Sequence, residues 1–65
     1  MSIKSRILKV LESHEEGLTI TDVSKLLNIH YITASKYLAV LEAEGKVMHR
    51  RIGMAKLFKL RGKVG

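Results

Sequence analysis

The sequence predicts a mainly helical α+β fold in which three helices come first and a β-hairpin comes last. Two observations carry this. Apolar residues recur at spacings of three and four as far as about residue 44, then alternate at two between Lys46 and Leu60, which is the change of period expected where helix gives way to strand. The residues that best tolerate left-handed backbone, Gly17, Asn28, Gly45 and Gly53, fall between the periodic stretches, where a reversing chain needs them.

The first helix is expected over about 2–15. Ser2 can cap it, Ile3, Ile7, Val10 and Leu11 share one side with Leu8 at the margin, and Lys4, Arg6, Lys9 and Glu12 face water. Glu15-Glu16-Gly17 should end it, with Gly17 as the exit residue. Leu18-Thr19-Ile20 is short and β-prone. A second helix is expected over about 21–27, capped by Thr21 and turning Val23, Leu26 and Leu27 to one side. Asn28 then makes a sharp corner, and a third helix follows at once over about 31–44.

That third helix has two unlike sides. Ala34, Tyr37, Leu38 and Leu41 form its core stripe. At about 100° per residue, Ile32, Ser35, Lys36 and Ala39 lie opposite, with Tyr31 on the N-terminal flank. A major groove offers a partner for each kind of group on that side: thymine methyls for Ile32, phosphate or guanine acceptors for Lys36, and either for Ser35 and Tyr31. Beyond Gly45 a hairpin is expected over about 46–60, with Ile52-Gly53-Met54 as its turn. Val47, Phe58 and Leu60 can point at the core while Arg50, Lys59 and either Met48 or Leu57 point away. The register, and with it the direction of Arg51 and Lys56, stays open. Arg61-Gly62-Lys63-Val64-Gly65 carries no pattern and reads as a basic tail.

Leu27-Asn28-Ile29-His30, Thr33-Ala34-Ser35-Lys36-Tyr37-Leu38, and Leu41-Glu42 through Gly45 resemble the winged helix-turn-helix family of transcriptional regulators, of the prokaryotic and archaeal type. The family's patterns there are Leu-Gly-Ile-Ser, Thr-Val-Ser-Arg-His-Leu and Leu-Glu-x-x-Gly, and the resemblance runs from Ile7 to Leu60. It implies a winged helix-turn-helix fold in which the helix from Tyr31 is the recognition helix, the basic hairpin is the wing and Leu18-Thr19-Ile20 is a small strand paired with that wing. The residues it marks for DNA are His30, Tyr31, Ile32, Ser35, Lys36 and Ala39 on the helix and Arg50, Arg51 and Lys56 on the wing. Two positions depart from the pattern: Asn28 stands for Gly, and His30 stands for Ser at the expected N-cap. A poorer cap costs about 1 kcal/mol unless the imidazole or a neighbour supplies the hydrogen bond.

Sixty-five residues make one small domain, which hides only about 60% of its unfolded surface. With no Cys there is neither a disulfide nor a thiolate zinc site, so the aliphatic residues must make the core, and a hydrophobic fraction of 46% suffices. No apolar run is long enough to span a membrane and no signal-peptide pattern is visible, so the expected location is cytoplasmic, with the nucleoid. Residues 1–44 hold five Lys/Arg against six acids, a net of −1, whereas residues 45–65 hold seven Lys/Arg and no acid. A positive pole of this kind favours a polyanion over the alternative of a solvated basic tail.

No catalytic constellation is visible, and no cofactor or small-molecule ligand is implied. His14, His30 and His49 fall in three different elements without metal-ligand spacing. His14 beside Glu15 and Glu16 reads as a polar cluster. His49 reads as half-buried filler in a basic strand more readily than as a phosphate contact. The expected partner is double-stranded DNA, bound sequence-specifically by a transcription factor that is not an enzyme. An RNA-binding winged helix, or a protein-interaction module using Tyr31 and Ile32, is the alternative. A left-handed-duplex binder is disfavoured, because that family relies on an Asn, a Tyr and a wing Pro where this chain has Ser35, Ala39 and no Pro. A homodimer is compatible with the sequence through Leu8, Met48 or Leu57, and a monomer equally so.

Overall fold

The computed structural model describes residues 2–62; Lys63, Val64 and Gly65, read above as part of a basic tail, lie outside the described residues. Along the chain run α1 (Ile3–Glu12), β1 (Leu18–Thr19), α2 (Ile20–Leu27), α3 (Tyr31–Ala43), β2 (Val47–Ile52) and β3 (Ala55–Leu60). The strands form one antiparallel sheet in the order β1-β3-β2. Three helices, a two-stranded wing and a small strand paired with it make this a winged helix-turn-helix. Every element gives at least one residue to the core, which consists of Ile7, Leu11, Leu18, Val23, Ala34, Leu38, Leu41, Val47 and Phe58. Tyr37 and Leu8 pack against that core half-buried, so Leu8 is no free surface residue.

Local chemistry sets the helix ends. Ser2 caps α1 by accepting from the Ser5 N–H, but the helix stops at Glu12 and not near residue 15. The Ser13 N–H donates to the Val10 carbonyl and that of His14 to Leu11, tightening the last turn. The His14 Nδ1 lies 2.9 Å from the Val10 oxygen, which ties the ring to its own helix and not to Glu15 or Glu16. Gly17 is therefore not the helix exit. It sits at φ +97 in the turn before β1, and a Cβ there would come within 2.8 Å of Leu57, 2.9 Å of Lys59 and 3.0 Å of the Phe58 carbonyl oxygen.

Thr19, and not Thr21, caps α2. Its hydroxyl accepts from the Asp22 N–H while the Asp22 carboxylate accepts from the Thr19 N–H, each at 3.1 Å, a reciprocal pair that needs an acceptor side chain three residues after the cap. Three residues after Thr21 stands Ser24, whose hydroxyl instead donates to the Thr21 carbonyl. Starting one residue early places Ile20, Val23 and Leu27 inward. Leu26 lies roughly a quarter-turn from that stripe and is exposed, which corrects its expected burial.

Asn28 makes the expected corner at φ 55. The Ile29 N–H donates to the Ser24 carbonyl and the Asn28 N–H to that of Lys25, the two bonds that close a helix through a left-handed residue. The same pair recurs after α3, from Lys46 to Leu41 and from Gly45 to Glu42, so Gly45 (φ 78) is the exit of α3. Arg6, though exposed, is not simply solvated, because it donates to the Leu27 carbonyl at 3.0 Å and fastens α1 to the end of α2. Lys4 reaches Glu44 at 2.7 Å and fastens it to the end of α3.

These ends can be tested by substitution. A Cβ added at Gly45 would meet nothing within 4 Å, whereas one at Gly17 is crowded by β3. Gly45→Ala should therefore cost only the left-handed strain, about 1 kcal/mol, and Gly17→Ala should lose about 2 to 4 kcal/mol in urea denaturation. The Lys4 ammonium, by hydrogen bonding and charge, holds the Glu44 carboxyl below its ordinary value of 4.5 against the opposing effect of desolvation, with Lys46 helping. A carboxyl lowered on folding stabilises the folded state above its unfolded value and loses that contribution as the pH falls through its folded one. Stability measured below pH 4.5 should therefore fall less steeply in Lys4→Met than in the parent chain.

Candidate nucleic-acid interface

The hairpin register decides which cations can act with α3. β2 and β3 pair as Val47↔Leu60, Met48↔Lys59, His49↔Phe58, Arg50↔Leu57, Arg51↔Lys56 and Ile52↔Ala55. Successive residues of a strand point to opposite faces, so Val47, His49 and Arg51 share a face with Leu60, Phe58 and Lys56. The base of that face is packed on the core through Val47 and Phe58. Its outer end carries Arg51 and Lys56, free of the core and directly opposite each other. Arg50 lies on the other face with both Met48 and Leu57. Leu57 is half-buried, in part under the close approach of Gly17.

Between the outer end of the wing and the helix-turn-helix lies an open groove of about 350 Å³. It is lined by Tyr31 and Ser35 of α3, by Arg51, Met54, Ala55 and Lys56 of the wing, and by Thr19 to Thr21. Four of the residues marked from the sequence thus converge: Tyr31, Ser35, Arg51 and Lys56. Ile32, Lys36 and Ala39 lie on α3 outside the groove, Ile32 exposed by 69%. The Lys36 ammonium lies 5.5 Å from the centre of the Tyr37 ring. Arg50 is exposed but turned away from the groove.

His30 does cap α3. The Ile32 N–H donates to its Nδ1 at 3.1 Å, so that nitrogen carries no proton and the ring hydrogen resides on Nε2. An exposed imidazole at the helix start thereby offers one N–H outward beside Tyr31 and Ile32. Sequence spacing identified the position but not this dual use.

The acids at the end of α3, Glu42 and the cap residue Glu44, are engaged elsewhere. Glu44 pairs with Lys4 and Lys46, and Glu42 accepts from the His49 ring at 2.5 Å. His49 also packs against Phe58 with ring centres 5.1 Å apart, so its ring is held by partners within the domain. Among the described residues neither Arg51, Lys56 nor Lys36 is within ion-pairing distance of a carboxylate. Nor do three His, Cys, Asp or Glu side chains gather among them to hold a metal ion, and no described helix is long and apolar enough to cross a membrane. Sequence reasoning passed over Met54, placed only as a turn residue, and Thr19 to Thr21, whose place in the groove depends on the short strand.

Comparison with known proteins agrees with this geometry. The family model of the IclR helix-turn-helix domain matches residues 5–51. A solved structure from a study of the DNA recognition and protein interaction domains of HOP2, concerned with homologous DNA pairing, superposes with a TM-score of 0.82. It is 22% identical and covers 91% of this chain and 98% of its own, which establishes a shared fold. No curated protein matches the chain.

The His30 cap is testable by itself. His30→Ala should lower stability by about 1 kcal/mol in urea denaturation, and His30→Asn, whose side-chain oxygen can accept from the same amide, should restore most of it.

Proposed function

The chain belongs to the family of IclR helix-turn-helix domains, DNA-binding domains of the transcriptional-regulator type, and from that premise we propose that it binds double-stranded DNA sequence-specifically, with α3 in the major groove and the wing on the adjoining backbone or minor groove. The observation that carries this reading is the shared groove: the exposed start of α3 and the unpaired cations Arg51 and Lys56 line one concavity. A duplex lying there meets apolar and polar side chains from the helix and two positive charges from the wing at once.

The roles divide by chemistry. Ile32 and Ala39 meet base edges through apolar contact, above all thymine methyls. Ser35 and Tyr31 donate or accept at base edges or phosphate, and the His30 Nε2–H donates to phosphate at the helix start. Lys36, Arg51 and Lys56 neutralise phosphates. Arg50 reaches the flanking backbone from the opposite face of the same ribbon. The protein acts as a binding module and not as an enzyme, in the cytoplasm with the nucleoid. A homodimer on an inverted repeat would double the contact.

Salt titration separates these roles. Lys36→Ala, Arg51→Ala and Lys56→Ala should each weaken binding to every duplex and reduce the log-log salt slope by about one unit, with Arg50→Ala having the smaller effect. Ile32→Ala should leave that slope unchanged and relax base preference, by about 1 to 3 kcal/mol at one position of a site selected from a random pool. Binding that is indifferent to salt and to these substitutions would favour a protein partner at Tyr31 and Ile32, and binding of RNA in preference to duplex DNA would favour the RNA-binding alternative.

A further inference from the structure

The wing is apolar at its apex and cationic just behind it. Met54 is as exposed as in an extended peptide, at 101%, and Ile52 is half exposed. β2 and β3 are joined by Gly53 and Met54 alone, and Gly53 takes φ +60, the left-handed first position of a tight two-residue hairpin turn. Because Gly53 has no side chain, the loop presents a single one, the Met54 thioether. The ladder pair nearest the apex that still reaches the core is His49 with Phe58. Three further pairs carry the apex about 10 Å beyond it.

Immediately behind the apex, Arg51 and Lys56 face each other across the ladder. Like charges in that position repel, and among the described residues no carboxylate relieves them. Two phosphate chains lying one on either side of the ribbon would relieve both. That is the charge pattern along a minor groove, which is about 6 Å wide and admits a side chain but not a flat two-stranded ribbon.

We infer that Met54 is a wedge. Resting on the duplex-binding reading above, Arg51 and Lys56 hold the two phosphate chains bordering a minor groove while the Met54 side chain enters it and partly unstacks one base step. An unbranched, polarisable thioether suits an irregular gap between bases, and apolar side chains inserted from the minor groove are a recurrent means of kinking a duplex. The wing then selects steps that open easily, such as pyrimidine–purine steps, without hydrogen bonding to them. A wing tip that only rested on the backbone would gain nothing from an exposed thioether ahead of two cations.

The test uses duplexes enriched by the protein from a random pool, with 2-aminopurine placed in turn at each step across the wing's position. Binding of the parent chain should brighten the probe at one step, where the base loses its stacking. Met54→Ala should bind with its salt slope intact but lose that brightening, and Met54→Leu, an apolar side chain of similar size, should keep it. Brightening that persists in Met54→Ala, or a parent complex in which no step brightens, overturns the wedge and leaves the duplex-binding reading standing. Failure to enrich or bind any duplex overturns both.

Discussion

Val47 and Phe58 at the base of the ribbon are buried in the same core as Leu38 and Leu41 on the inner side of α3, and this contact fixes where the cationic end of the wing stands relative to the outer side of the helix. Period-two alternation does the rest. Once Phe58 must be inward, His49 opposite it is inward too, and two residues further on Arg51 and Lys56 take the same face with no core beneath them. A slip of β2 by one residue would put Met48 where Val47 now packs and Ile52 where Arg51 now faces the groove, or, in the other direction, Lys46 in the core and Arg50 in the groove. The apolar requirement of the interior thereby dictates the direction of charges it never touches.

Charge is sorted in a second way. Both carboxylates near the end of α3 are occupied by groups on α1, on the following turn and on β2. Exposed ion pairs of this sort contribute little to folding. Their larger effect is on the field: the negative charge of α3 is gathered at its far end, where side chains of the body engage it, and its first turns carry no acid at all. A single α3 thus presents an internally satisfied end toward the body of the domain and an unsatisfied end toward the groove.

Much of this was legible in the sequence, because the strongest signals were local. Asn28 and Gly45 marked two turns that the backbone then makes with the same pair of hydrogen bonds, and the switch of period after Gly45 located the hairpin. What escaped depended on partners remote in sequence or on competition between neighbours. Thr21 is as good a cap as Thr19 until Asp22 is counted, and choosing the wrong one turned Leu26 inward. Gly17 was assigned to a helix end because its crowding by Leu57, Lys59 and Phe58 comes from a strand at the other end of the chain. Which of the wing cations face the groove could not be read without the ladder register, which alternation leaves undetermined by one residue. Met54 looked like punctuation because exposure of an apolar turn residue has no sequence signature.

Thr19 has a double allegiance. It is a rung of the sheet, opposite Leu57, and its hydroxyl closes the first turn of α2. Any leverage on the wing from outside is therefore delivered through β3 to the very residue that anchors the helix-turn-helix, alongside the path through Phe58 and the close-packed interior. The domain behaves less like a body with an appended arm than like a pair of tongs whose two jaws share one rivet.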